Sequence, residues 1–306
     1  MSFAKQLIAP QRPPPPAPRP WTLSRFAGLS LMAIWILVAI GVILFLTAEW
    51  DPEKVAKYAP KYFSGLGVTL TLVSISIVLG AIASVPVALG RMSNNPLLSM
   101  PAFFYVYFFR GTPLIAQLFL IYYGLGEFRH ALDSIGLWGF FREPWNCAIL
   151  AFTLNTAAYQ AEILRGALQS VPRGQHEGAK ALGLSRFHTY WKVIIPQALI
   201  VALRPYGNEI ILMIKGSAIV AIITVFDLFG ETRRAYSRTF DFQAYIWAAI
   251  FYLIIVEGLR NLWNAMEKQK GHADKSGVGR KGHIKNPHAN QGQTQPQNNA
   301  DQAADQ

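Results

Sequence analysis

The feature that most constrains the fold of this chain is a series of long apolar runs, nearly free of charge, between residues 26 and 265. One helical crossing of a bilayer core requires about 20 predominantly apolar residues. Six runs approach or exceed that length, and they span approximately residues 27–47, 65–89, 98–124, 148–168, 194–226 and 244–263. The run 194–226 exceeds one straight crossing and contains Pro205 and Gly207, which predict a kink or a break. The sequence therefore predicts an all-α, multi-pass membrane protein with about six transmembrane helices.

The composition supports a membrane protein and argues against other classes. Of the 306 residues, 15% are charged, whereas soluble domains carry about 25%. The formal net charge is +11, but the basic residues are scattered between apolar runs, which argues against a nucleic-acid-binding protein. The single cysteine, Cys147, has no partner for an internal disulfide, and we predict no metal site.

Both ends differ in composition from the apolar middle. Residues 1–22 contain a proline-dense stretch and are predicted to form a disordered arm, because proline disrupts helices and strands. Residues 23–59 are predicted to form an N-terminal transmembrane helix and its following loop. Residues 269–306 contain no aromatic residue and are rich in Gln, Asn, Gly and Lys. They cannot bury enough apolar surface to offset the entropy of ordering, so we predict a disordered tail.

The distribution of basic residues predicts the orientation in the membrane. The loop 169–193 carries four Lys or Arg residues, and both termini are basic as well. Six crossings place both termini on the same side as this loop and the loop 90–97, and the excess of Lys and Arg assigns that side to the cytoplasm. The segment 231–241 disagrees, since its three arginines would lie outside. We keep this orientation because the reverse would export four basic regions.

One motif lies in the basic loop. The stretch Glu177-Gly-Ala-Lys-Ala-Leu-Gly183 is followed, after nine residues, by Val193-Ile-Ile-Pro196. This pattern resembles the EAA loop of ABC-importer permeases, in which E-A-A precedes a glycine and an I-x-L-P segment at fixed distances. The matching residues are Glu177, Ala179, Gly183 and Pro196, and the departures are Gly178, Val193 and Ile195. The resemblance implies that Glu177, Gly178, Ala179, Gly183 and Pro196 couple the membrane helices to an ATPase, and we call residues 171–196 the coupling loop.

Further segments extend the resemblance over residues 60–268. The stretches 109–114, 117–124, 155–162 and 208–215 look like polar amino-acid uptake permeases, most closely those of the histidine, lysine-arginine-ornithine and opine systems. The resemblance implies a five-helix permease core, with the N-terminal helix as an addition. It also implies an ATP-driven importer that carries a polar, basic amino acid or an opine across the bacterial inner membrane.

The chain lacks the phosphate-binding loop of an ATPase, since no G-x-x-x-x-G-K-[ST] sequence occurs in it. The resemblance therefore implies that ATP and Mg²⁺ bind a separate ATP-binding cassette subunit, with no cofactor on this chain. The other implied partners are a second permease subunit, identical or homologous, and a periplasmic or lipid-anchored solute-binding protein. The sequence leaves open which solute is carried and whether the two permeases are identical.

Polar and ionisable side chains inside the predicted spans are candidates for contact with the solute, because such groups are costly in a bilayer. The candidates are Glu209, Asn208, Glu162, Tyr159, Asn155 and Gln117. Alternatives stay open for the two carboxylates. Glu209 could instead pair with Arg204 or Lys215, and Glu162 with Arg165 one helical turn away. Arg110 is expected at a bent helix end or beside a carboxylate such as Glu162.

Two other functional classes fit the sequence less well. A secondary transporter or channel would move solute without ATP, but the EAA-type loop has no purpose in such a protein. An intramembrane enzyme would need a catalytic motif, and the chain contains neither H-E-x-x-H nor G-x-S-x-G. We therefore predict a transport subunit without catalytic residues.

Overall fold

The structure, a computed structural model, describes residues 22–48 and 50–278, and side chains as far as Glu267. The described residues form helices and turns, with no strand among them. The α-helices are α1 Leu23–Ala48, α2 Pro52–Met92, α3 Pro96–Gly111, α4 Leu114–Phe119, α5 Arg129–Ser134, α6 Trp138–Phe141, α7 Pro144–Ser170, α8 Arg173–Ala181, α9 Arg186–Thr189, α10 Ile195–Gly216, α11 Leu228–Thr239 and α12 Gln243–Val278. This confirms the all-α prediction for the part of the chain that is described. The predicted arm, residues 1–22, lies almost wholly outside that part.

Four helical segments are long and apolar enough to cross a membrane: Leu23–Ala48, Pro52–Met92, Arg186–Ile223 and Gln243–Glu267. There are five if Pro96–Gly111 and Leu114–Ser134, which meet at an angle of 107°, count as one bent span. The predicted span 98–124 is therefore not a single straight helix. Pro113 explains the turn, since proline restricts the residue before it to extended conformations and ends the preceding helix.

Helix α7 contains the remaining predicted span, 148–168, and is 27 residues long. It is long enough to cross, but it is not among the helices apolar enough to be counted. Its polar side chains Asn155, Thr156 and Gln160 are buried inside the bundle, where protein groups and not lipid surround them. The predicted number of six crossings is reached only if α7 crosses as well.

The chain divides into two compact units, Met1–Tyr58 and Ala59–Gln306. In the first unit, α1 has no buried residue and exposes large apolar side chains along its whole length, as expected of a helix surrounded by lipid. The second unit has its own apolar core. Its fully buried members come from α2, α4, α7, α10 and the 3₁₀ helix that follows α10, and they include Leu72, Leu118, Phe152, Ile214 and Ile223.

Helix α7 lies at the centre of the second unit, with α3 on one side and α10 on another. Gly80 allows α2 to approach it closely, because a Cβ at that position would lie 2.5 Å from Cγ2 of Thr156. This approach places the polar residues of α7 against backbone atoms of α2, where they find hydrogen-bond partners.

Helix α10 continues through Pro205 and Gly207, so the break that the sequence left open at this point does not occur. The helix instead changes to a 3₁₀ helix at Ser217–Ile223. Gly207 has a packing role: a Cβ there would lie 2.5 Å from the ring of Trp263. The Nε1 of Trp263 donates a hydrogen bond of 2.7 Å to the carbonyl of Leu203, which joins α12 to α10.

Helix α12 extends to Val278, ten residues into the segment 269–306 that we expected to be disordered. The disorder of residues 269–306 stays a prediction. The rest of the predicted tail lies outside the described residues.

Candidate functional site

The coupling loop forms two short helices, α8 and α9, joined by a tight turn at Gly183. This glycine has a φ of +71°, which an L side chain rarely adopts. Its N–H donates to the carbonyl of Lys180 (3.0 Å), and the N–H of Leu184 donates to the carbonyl of Ala179 (3.1 Å). These two bonds form a Schellman motif, which satisfies carbonyls at the end of α8. Gly183 therefore ends α8.

The two ends of the coupling loop are fixed to the membrane helices. A buried cluster of Ala167, Val171, Ile194, Ala198 and Ala202 packs the end of α7 against the start of α10. Gln197 donates a hydrogen bond of 3.3 Å to Gln175 of α8. Pro196 lies in the first turn of α10.

The outer surface of the coupling loop combines charged and apolar side chains. Ala179 faces inward and is buried, whereas Glu177, Gly178 and Lys180 are exposed. Large apolar side chains are exposed beside them, namely Leu182 (81% exposed), Phe187, Tyr190 and Trp191. An exposed apolar patch with a charged rim is typical of a surface that binds another protein.

Two of the predicted solute-binding residues hold the bend between α3 and α4. Gln117 Nε2 donates to the carbonyl of Phe109 (2.9 Å), the carbonyl of Thr112 (3.1 Å) and Thr112 Oγ1 (2.8 Å). Asn155 Nδ2 donates to the same carbonyl of Phe109 and to Gln117 Oε1, both at 3.0 Å. These bonds satisfy carbonyls that the end of α3 leaves without a helical partner. In this conformation both amides are buried and engaged with the bend.

The predicted carboxylate of α10, Glu209, ends a buried chain of hydrogen bonds. Tyr206 donates its hydroxyl proton to Gln160 Oε1. Gln160 Nε2 donates to Thr156 Oγ1 (3.0 Å), and Thr156 Oγ1 donates to Glu209 Oε1 (2.9 Å). Glu209 is only 5% exposed. Arg204, which the sequence allowed as its partner, pairs with Glu267 instead.

The second predicted carboxylate, Glu162, lies among three arginines. Arg91 Nε is 3.0 Å from Glu162 Oε1, Arg165 Nη2 is 2.6 Å from Oε2, and Arg110 Nη1 is 3.9 Å from Oε2. We call these four residues the arginine cluster. The ion pair with Arg165 that the sequence left open is therefore present. Arg110 lies at the end of α3, before the bend, as expected.

Two cavities adjoin the arginine cluster. One, of about 410 Å³, is lined by residues of α3, α7 and α10, including Tyr159, Glu162 and Arg110. The other, of about 320 Å³, lies between the end of α2, α3 and α7 and shares Glu162 and Arg110. Tyr159 and Glu162 are thus brought together, whereas Glu209, Asn155 and Gln117 are buried away from both cavities and Asn208 is exposed on α10.

Gln160 and Arg91 are among the members of these networks that sequence reasoning missed. Gln160 follows Thr156 by four residues and so shares its helical face, a spacing that could have identified it. Arg91 follows the second predicted span directly, and its side chain turns back to Glu162, 71 residues later in the chain. No local sequence pattern predicts the contact between Arg91 and Glu162. A larger cavity of about 610 Å³, lined partly by Ser64, Trp145 and Phe226, contains none of the predicted residues.

The fold and the coupling loop define a multi-pass membrane subunit of the transport type. The sequence profile of the family described as the binding-protein-dependent transport system inner membrane component matches residues 76–257. The chain belongs to this family. It is a permease subunit of an ABC importer and not an enzyme, which confirms the class predicted from the sequence.

Similar proteins support the assignment over most of their own lengths. The nopaline transport system permease protein NocM of Agrobacterium fabrum is 45% identical over 206 residues, which are 67% of this chain and 86% of NocM. The histidine/lysine/arginine/ornithine transport system permease protein HisM of Escherichia coli K12 is 41% identical over 208 residues, 68% of this chain and 87% of HisM. A crystal structure described as an amino acid ABC transporter with histidines matches with a TM-score of 0.64 and 34% identity, covering 72% of this chain and 98% of its own.

Proposed function

We propose that this chain forms the membrane path of an ATP-driven importer for a polar, basic amino acid or an opine. The names of NocM and HisM support this solute class, since the two relatives serve nopaline and histidine/lysine/arginine/ornithine transport. The family description supports a binding-protein partner on the outer side of the inner membrane. Both termini and the coupling loop face the cytoplasm in this proposal, in accordance with the distribution of Lys and Arg.

The observation that carries the proposal is the coupling loop itself. It presents Glu177, Lys180 and exposed apolar side chains on short helices whose ends are packed rigidly on α7 and α10. A partner that binds such a loop can move both helices, because the packed cluster transmits a displacement of the loop to α7 and α10. We propose that the partner is an ATP-binding cassette subunit, which holds the ATP and Mg²⁺. Its binding surface on this chain is proposed to consist of Glu177, Gly178, Ala179, Gly183 and Pro196.

A second permease subunit is proposed to complete the pore. Helix α10 exposes Val201 and Leu212, and the polar Asn208 lies on the same helical face. A polar amide exposed on a membrane helix gains from a protein neighbour or an aqueous path and not from lipid.

The predicted solute contacts divide into three groups. Tyr159 and Glu162 line a cavity in this conformation. Glu209, Asn155 and Gln117 are engaged with other protein groups, and we propose that they meet the solute only when α7 and α10 separate during transport. Asn208 would reach it from the exposed side of α10.

Uptake by reconstituted vesicles tests the proposed function. Vesicles that contain the permease, the ATPase and the binding protein should accumulate labelled arginine, histidine or nopaline with ATP and not with a non-hydrolysable analogue. Glu177→Arg should reduce uptake at least tenfold, because the reversed charge faces the ATPase. The amount of inserted protein should not change.

Glu127→Arg is the matched control, because Glu127 is also exposed but lies outside the coupling loop. It should leave ATP-driven uptake unchanged. Full uptake by Glu177→Arg would contradict the role of the loop. Accumulation of solute by the permease alone, with no nucleotide present, would contradict the proposal as a whole.

A further inference from the structure

We propose that Arg110 binds a carboxylate group of the solute in the cavity between α3, α7 and α10. A free carboxylate then becomes the feature by which the permease itself selects its cargo. The inference rests on the proposed function, since it assumes that an amino acid or an opine passes through this chain. It adds a residue that the sequence placed only at a helix end or in an ion pair.

The cavity has the size and the polar groups of a small-molecule site. Its volume of about 410 Å³ is within the range of pockets that bind small ligands. Apolar side chains of α10, Val201 and Pro205 among them, form one wall, and Tyr159, Glu162 and Arg110 contribute the polar groups. The second cavity of about 320 Å³ shares Arg110, so the guanidinium is accessible from two sides.

Arg110 differs from the other two arginines of the arginine cluster, because its guanidinium donates no hydrogen bond to the described residues. Arg91 and Arg165 are at hydrogen-bond distance from Glu162, whose side chain is 14% exposed. Arg110 Nη1 is 3.9 Å from the same carboxylate, beyond hydrogen-bond distance, and its side chain is 43% exposed. Within the described part of the chain, no group accepts a hydrogen bond from the side chain of Arg110. Its five N–H donors remain available to a ligand.

The charges of the site favour an anionic group. Three guanidinium groups surround one carboxylate, which leaves two positive charges uncompensated. The charge of Arg110 also acts on the carboxylate of Glu209, but that group is buried and bonded to Thr156. Even with Glu209 counted as ionised, three positive and two negative charges leave one positive charge. A solute carboxylate would neutralise it.

Tyr159 holds the guanidinium in a suitable orientation. The Cζ of Arg110 lies 5.2 Å from the centroid of the Tyr159 ring. When a guanidinium stacks on an aromatic ring, its N–H groups, which lie in the plane of the guanidinium, stay free. Two of these N–H groups match the two oxygens of a carboxylate. A carboxamide cannot accept two hydrogen bonds from the guanidinium in the same way, because its NH₂ group is itself a donor.

Competition binding to the purified complex of permease and ATPase tests this inference. The binding protein is omitted, so that any discrimination belongs to the permease. Labelled L-arginine and L-histidine are the probes, and L-argininamide and L-histidinamide, which lack the free carboxylate, are the competitors. The wild type should prefer each acid over its amide at least tenfold. Arg110→Gln should weaken binding of the acid at least tenfold and bring the ratio close to one, and Arg110→Lys should restore part of it.

Arg142→Gln is the matched control, because Arg142 pairs with Glu143 at an exposed position outside the cavity. It should keep the wild-type ratio. A wild-type complex that binds acid and amide equally would overturn the inference without any variant, as would an unchanged ratio in Arg110→Gln. Loss of ATP-driven uptake in the wild-type vesicles would instead contradict the proposed function, so the two failures are distinguishable.

Discussion

Gly183 and Gly178 are five residues apart in the coupling loop, but their backbone requirements are opposite. Gly183 has a positive φ of +71°, whereas Gly178 lies inside α8, and a Cβ added to it would meet no atom within 4 Å. Gly183→Ala should therefore destabilise the turn by about 1 kcal/mol and lower ATP-driven uptake. Gly178→Ala should stabilise α8 by about 0.5–1 kcal/mol and leave uptake intact.

These two variants share one measurement, uptake per inserted molecule together with binding of the ATPase. Equal behaviour of both variants would show that the left-handed turn is not what the coupling loop needs. The spacing of the motif singled out Gly183 in the sequence, but only the backbone angle shows that this residue ends a helix.

Gly207 is required for a different reason, the proximity of Trp263. Ring atoms of Trp263 lie 2.5–2.6 Å from the position that a Cβ on residue 207 would take. Gly207→Ala should displace the indole, weaken its bond to Leu203 and destabilise the protein by about 1–3 kcal/mol. Thermal unfolding in detergent measures this effect. Gly258→Ala is the control on the partner helix α12, since a Cβ there meets nothing within 4 Å.

At the scale of helices, the bend between α3 and α4 depends on side chains from two helices. Gln117→Leu would remove the side-chain donor to the carbonyl of Thr112, one of the two donors to the carbonyl of Phe109, and the acceptor of Asn155. Each buried polar group left without a partner costs about 1–3 kcal/mol, so a marked loss of thermal stability is expected. Gln169→Leu, at an exposed position of α7, should change stability by less than about 0.5 kcal/mol. A stable Gln117→Leu protein would show that the bend does not need this amide.

The sequence predicted the helices better than it predicted their interruptions. Apolar length located the segments of α1, α2, α10 and α12, because burial in lipid is a local property of composition. The sequence allowed a bent helix end at Arg110, but it did not predict that the run 98–124 divides into two helices at 107°, because the apolar run continues on both sides of Pro113. The i,i+3 pair of Glu162 with Arg165 follows from local spacing, whereas the contacts of Glu162 with Arg91 and of Glu209 with Thr156 depend on helix packing, which no local pattern specifies.

At the scale of the whole molecule, the contacts of α12 determine how much of the C-terminal part the protein needs for stable insertion and uptake. Trp263 and Glu267 contact α10 through Leu203 and Arg204. Removal of residues 279–306 leaves both contacts in place and should leave uptake largely unchanged. Truncation after Leu262 removes both and should abolish stable insertion. Uptake and membrane yield of the two truncated proteins check this, and a loss of uptake in the shorter deletion would reveal a function in the tail.

The position of α7 has a consequence for biogenesis. This helix buries Asn155, Thr156 and Gln160 against its neighbours, yet it is less apolar than the helices that qualify as spans by themselves. A segment of this kind partitions poorly from the translocon into lipid when alone. We expect α7 to stay beside the translocon until α10 has been synthesised. The most central helix is then among the last to reach its final position in the membrane.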